Sequence, residues 1–246
     1  MTLSDAELER YARHIVLPQV GGVGQARLKA ARVAVVGAGG IGSAVIPALA
    51  GAGVGRLTII DADIVDLANL HRQTIYREEE DGAAKAECAA VFARALNRFV
   101  EAVPVPERLT RGNAQALLTG HDLIIDGSDN FATRLAVGDA CVALGIPLIA
   151  AAAIQFHAQV GLFEARPCYR CFAGSAFDSD ECDNCAELGV LGALTTTAGA
   201  IAALMAINRI TGAGPVEPSQ LHLFDGEKLN WRTIRIPADP ACPICA

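Results

Sequence analysis

The segment RVAVVGAGGIGSAV, residues 32–45, constrains the fold of this chain more than any other. A short run of β-branched residues leads straight into glycines at 37, 39 and 42, the G-x-G-x-x-G spacing, and then into a helical pattern. In that order the glycines let the backbone turn tightly and approach a pyrophosphate. The N–H groups and dipole at the head of the next helix favour its negative charge. The reading is a Rossmann-like opening unit with nucleotide phosphates on the turn from Gly37 to Gly42. Asp61 ends the next strand-like run, about 20 residues further on, where a carboxylate accepts hydrogen bonds from ribose hydroxyls.

The pattern then repeats. Runs at 32–38, 56–62, 99–105, 122–128 and 146–152 are short and rich in Val, Ile and Leu, as expected of strands buried on both faces. Helical patterns at 42–52, 83–98, 111–119 and 130–145 separate them, and the alternation predicts an α/β fold with a mainly parallel sheet and helices on both faces. After residue 155, AQVGLFEA, LHLFDG and NWRTIRI look like antiparallel strands extending the same sheet. Residues 4–30 read as helical, broken by Pro18 and the Gly21-Gly22 pair. No Gly/Ser or Pro-rich linker interrupts the chain. One domain over 1–246 is expected, with an N-terminal helical segment (1–31), a nucleotide-binding half (32–154) and a second half (155–246).

NAD is the default ligand for such a glycine turn, and a dehydrogenase is the first hypothesis. Two cations argue against it. Arg72 in NLHRQ (69–73) and Lys85 in GAAKAE, at the head of a helix, follow the ribose-binding strand and suit a triphosphate better than a dinucleotide. Asp129, in GSDN after the fourth strand, lies at the carboxyl edge of the sheet, where it could hold Mg²⁺ beside substrate phosphates or cap the next helix.

Three C-x-x-C pairs, at 168/171, 182/185 and 242/245, are present among eight cysteines. Two such pairs make a tetrahedral zinc site, and the spacing does not fix which two. The last pair would tie down the tail. Cys88 and Cys141 sit in Ala-rich helical sequence and read as small buried hydrophobes. A net charge of −7 and a pI near 5.2 argue against a nucleic-acid partner. The N-terminus has no secretory pattern, so a cytoplasmic protein is expected. The uncharged stretch between Glu187 and Arg209 is long enough to span a bilayer, but its Ala, Gly and Thr suit a buried helix and no membrane partner is expected.

Taken in order, RYARHI, GAGGIG, AGVGRLTIID, NLHRQ, the lysine of GAAKAE, SDN, CYRC, CAELGVLG, LFDG and CPIC resemble the MoeB/ThiF/HesA enzymes, relatives of ubiquitin-activating E1 proteins, over nearly the whole chain. The resemblance implies ATP, Mg²⁺, a structural zinc and a homodimer. It also implies adenylation of the C-terminal Gly-Gly carboxylate of a small ubiquitin-like sulfur-carrier protein, with a separate sulfur donor. It assigns Gly37, Gly39, Gly40 and Gly42 to the phosphates and Asp61 to the ribose. Asn69, Arg72, Gln73 and Lys85 go to the triphosphate, and Asp129 with Asn130 to the Mg²⁺–nucleotide end. Arg13 matches an arginine that reaches into the partner subunit's site. Cys168, Cys171, Cys242 and Cys245 match the zinc ligands, and Cys185 a loop cysteine that bonds to the carrier in sulfur-transferring members. Ala84, Ser128 and Ala193 stand where proline, threonine and proline are usual, and Cys182 is an additional thiol. A tRNA-modifying relative of the same fold would be expected to carry a basic surface, which this acidic chain does not advertise.

Overall fold

The computed structural model describes residues 2–174 and 189–246. Five hydrophobic runs form the parallel strands β1 (Arg32–Val36), β2 (Arg56–Ile60), β3 (Glu101–Val105), β4 (Leu123–Asp126) and β5 (Leu148–Ile154). Three further strands, β6 (His157–Phe163), β7 (Gln220–Asp225) and β8 (Asn230–Arg235), continue the sheet antiparallel. The order across the eight strands is β3-β2-β1-β4-β5-β6-β7-β8.

That order places the site. From β1 the chain moves outward through β2 to β3, then returns to lay β4 on the other side of β1, in register Val33 with Leu123. The loops leaving β1 and β4 therefore diverge and open a crevice at the carboxyl ends of the strands.

Side chains alternate across each strand, so the sheet feeds two cores. Val33 and Val35 point into one, with Ile46 and Leu49 of α4 (Gly42–Ala52) and the alanines of α5 (Lys85–Leu96). Ala34 and Val36 point into the other, with Leu118 of α6 (Ala114–Leu118) and Val137 of α7 (Phe131–Leu144). Each fully buried aliphatic side chain of this kind contributes about 1.5–3 kcal/mol.

The apolar stretch flagged by its length forms α9 (Gly192–Thr211), the one helix among the described residues long and apolar enough to cross a membrane. Here it lies against α4, β5 and β6. Leu194, Ala198, Ala202 and Ala206 form its buried face, and Gly199 lets it close onto the Ile41 backbone. The opposite face, with Thr196, Ala200 and Leu204, is exposed.

The N-terminal segment is helical, in α1 (Asp5–Arg10), α2 (Ala12–Ile15) and α3 (Gly21–Ala30). The break falls before the Gly21-Gly22 pair and not at it. Gly21, at φ +57°, absorbs the turn after Pro18 and opens α3.

Candidate active site

The crevice is a cavity of about 1540 Å³, larger than the 300–1,000 Å³ usual for a single small ligand. One end is the glycine turn. Gly37 has φ +88°, and a side chain there would meet the Gly127–Ser128 backbone at 3.0 Å, so the loops after β1 and β4 approach only because this residue is glycine. Gly39 and Gly40 line the cavity, whereas Gly42 is not on its wall, and a side chain there would collide with the Gly37 carbonyl.

Asp61, just past β2, accepts hydrogen bonds from Ala38 N–H at 2.7 Å and Asp63 N–H at 2.8 Å. Burial raises its carboxyl above the usual range against the pull of those two N–H groups. Tyr76 braces the same turn, its hydroxyl donating to the Ala38 carbonyl at 2.7 Å.

Lys85 begins α5. Its side chain is buried, lines the cavity and pairs with Asp63 at 3.3 Å. Arg72 reaches the same wall, 2.8 Å from the neighbouring His71 ring. Gln73 is buried beside Gly39, and its Oε1 has no hydrogen-bond partner among the described residues. Asn69 is not on the cavity wall; its carbonyl instead closes the turn that presents Arg72 and Gln73.

In the SDN motif the helix cap is Asn130 and not Asp129. Asn130 caps α7, accepting the Thr133 N–H at 2.9 Å, which leaves the Asp129 carboxylate exposed on the cavity wall. Its position suits a cation held by one carboxylate and by substrate phosphates. Beneath it lie Asp126 and Arg134, two buried charges that composition and spacing had not singled out. The sequence signal was an arginine inside the otherwise apolar run FATRLAVGDACVAL.

From Asp129 the cavity continues over β5 to β8, past His157, Gln159, Tyr169, Leu223, Asn230 and Arg232. Arg13, in contrast, is exposed on α2 and lines no part of it.

Cys168, Cys171, Cys242 and Cys245 come together, their sulfurs all within 4.8 Å of one another. The Cys168–Cys242 and Cys171–Cys245 separations are 3.7 and 3.4 Å. A tetrahedral ion with bonds of about 2.3 Å sets its sulfurs about 3.8 Å apart, so the four could hold a metal such as zinc. Cys182 and Cys185 lie outside the described residues.

The ThiF family matches residues 11–244. The chain belongs to the ThiF family. Among curated ThiF relatives, the Thermus thermophilus sulfur carrier protein adenylyltransferase is 42% identical over 252 aligned residues, covering all of this chain and 93% of that protein. The Haloferax volcanii SAMP-activating enzyme E1 is 39% identical, covering all of this chain and 91% of its own length. The Bos taurus adenylyltransferase and sulfurtransferase MOCS3 is 42% identical, but the chain spans only 54% of it. Among solved structures, E. coli MccB superimposes with a TM-score of 0.83 at 22% identity, over 96% of this chain and 72% of that one. PaaA gives 0.81 at 24% identity, over 96% and 75%. Both share the ThiF-type fold.

Proposed function

We propose that the chain is an ATP-dependent adenylyltransferase that activates the C-terminal glycine carboxylate of a ubiquitin-like sulfur-carrier protein, releasing pyrophosphate. The observation that carries this reading is the extent of the cavity, whose lining runs from the glycine turn to β8. A nucleotide needs the end bounded by the glycine turn, Asp61 and Lys85, and the remainder over β5 to β8 leaves space for a second substrate such as an extended peptide tail. The adenylyltransferase relatives at about 40% identity support the same chemistry.

In this reading residues 32–154 hold ATP, and 155–246 receive the carrier and close on zinc as parts of one domain. The tail's carboxylate is already ionised at neutral pH, so its attack on the α-phosphorus needs no general base. Arg72 and Lys85 offset charge on the phosphates, and Asp61 orients the ribose. Mg²⁺, held by Asp129 and the phosphates, would neutralise charge developing on the leaving pyrophosphate. Arg13 is supplied by a second copy of the chain. Its exposure supports this, as do exposed apolar side chains at Val16 and Val23 (69% each) and at Leu204 on the outer face of α9.

The test is to incubate the protein with ATP and candidate carriers ending in Gly-Gly and to look for the acyl-adenylate by mass spectrometry. Wild type should form it with at least one carrier and catalyse carrier-dependent ATP–pyrophosphate exchange, and D129A should do neither while remaining folded. Exchange undiminished in D129A would remove Asp129 from the chemistry. No adduct with any carrier of the molybdopterin or thiamin type would sink the reading.

A further inference from the structure

Arg134 is a buried charge that the proposed chemistry leaves without a task. It sits in the first turn of α7, is 7% exposed and lines the cavity near Asp129. A guanidinium is costly to bury unless its charge and N–H groups are met. Here they are. Nη2 donates to the Ser128 carbonyl and, at 3.0 Å, to the Ala151 carbonyl at the heart of β5. Its charge faces the fully buried Asp126 and the phenol of Tyr169, the first residue of α8 (Tyr169–Ala173).

Asp126 in turn accepts the Ser128 N–H at 2.9 Å. Ser128 thus has its N–H on a carboxylate and its carbonyl on a guanidinium, and those two groups offset each other's charge. The clamped carbonyl belongs to the peptide that joins Ser128 to Asp129. Asp129 has little hold of its own: its carboxylate is exposed, and the hydrogen bond from Asn130 Nδ2 is long, at 3.5 Å. Its direction is therefore set through the backbone beneath it. Through Nη2 the guanidinium ties β5 to the β4–α7 loop, and a lysine ammonium at the end of a flexible stem would hold the two carbonyls less rigidly.

We infer that Arg134 is a positioning residue for adenylation. With Asp126 it clamps the Ser128–Asp129 peptide so that the Asp129 carboxylate enters the nucleotide site in one orientation, and Tyr169, on the helix that follows Cys168, supports the guanidinium electrostatically. The inference rests on the adenylyltransferase reading.

Carrier-dependent exchange is to be measured for wild type, R134K, R134M and Y169F, each alone and combined with D129N. Binding of a fluorescent ATP analogue across a Mg²⁺ titration accompanies it. R134M should lower kcat about 100-fold, the scale on which a misplaced catalytic group loses rate, with the KM for the carrier unchanged. The Mg²⁺ midpoint for nucleotide binding should rise, and R134K and Y169F should fall between R134M and wild type. Because the clamp acts through Asp129, R134M on top of D129N should move the Mg²⁺ midpoint no more than about twofold. A wild type without exchange would defeat adenylation itself. Wild-type exchange together with R134M and Y169F within about twofold of it, or an equal shift of the Mg²⁺ midpoint by R134M with and without D129N, would overturn the positioning role alone. If R134M does not fold, Y169F, which deletes one hydroxyl, is judged by the same comparisons.

Discussion

The Asp61 carboxylate accepts the Ala38 N–H at 2.7 Å, so the residue expected to bind ribose also holds the glycine turn. An ionised carboxylate has about four lone-pair sites, and the Ala38 and Asp63 N–H groups leave room for sugar hydroxyls. D61A should therefore weaken ATP binding twice over, by losing the sugar contact and by loosening the turn. Hydrogen bonds to charged groups are worth about 1.5–3 kcal/mol, so the Kd for ATP should rise about 10- to 100-fold by calorimetry. D61N, which keeps an oxygen for the Ala38 N–H, should lose less. Wild-type affinity in D61A would take Asp61 out of the nucleotide site.

Much of this arrangement was legible because buried parallel strands advertise themselves. VAVV and LIID have no polar face to alternate, and the glycine turn and Asp61 follow from strand ends. The sheet order was not written in any segment. That β4 lies beside β1 follows from the packing of successive crossovers. The Asp126–Arg134 pair escaped notice because a charge on a helix reads as solvated until the loop folded over it is known. Asn69 shows the opposite case, a motif residue whose backbone, and not its side chain, shapes the wall. The cysteine partners lie 74 residues apart, a distance over which C-x-x-C spacing carries no pairing information.

The cysteine cluster should contain one zinc per chain, measured by mass spectrometry under native conditions. It joins the loop before α8 to the C-terminal tail, where Asp239 N–H also donates to Cys171 Sγ at 3.4 Å. C242S should lose the metal and release the tail, seen as faster amide exchange over residues 236–246. A change of 1 kcal/mol moves Tm by about 2–4 °C in a chain of this size, and loss of a metal is among the costlier single changes, so Tm should fall by several such steps. Full zinc occupancy in C242S would show that this cysteine is not a ligand.

Glu7 makes a pH-dependent contact at the other end of the chain. Its carboxylate accepts from Ser4 N and Oγ and from Lys29 Nζ, each at 2.8 Å, joining α1 to α3. Burial alone would raise this acid, but Lys29 and Ser4 hold it down, from 4.5 to about 2. A depressed carboxyl stabilises the fold fully above its unfolded value, and that contribution fades as pH falls from about 4.5 toward 2. Proteolytic protection of residues 2–10 should decline through that window in wild type. E7Q should show lower protection at neutral pH and little further change. An identical pH profile in E7Q would assign the acid sensitivity to other groups.

Arg13 offers the sharpest test of whether the site is shared between two copies. It is exposed on α2 and lines no part of the cavity. If it serves a partner's site across a two-fold axis, R13A and D129A should each be inactive alone and complement each other when mixed. A mixed dimer holds one site with intact Asp129 from one chain and Arg13 from the other, while its second site lacks both. Random pairing makes half the dimers mixed, so exchange should return to about a quarter of the wild-type level after subunit mixing. A mixture as inactive as its parents would place Arg13 in its own chain's site or outside the chemistry. Sedimentation of each variant must match that of wild type, so that the lost rate reports on Arg13 and not on assembly.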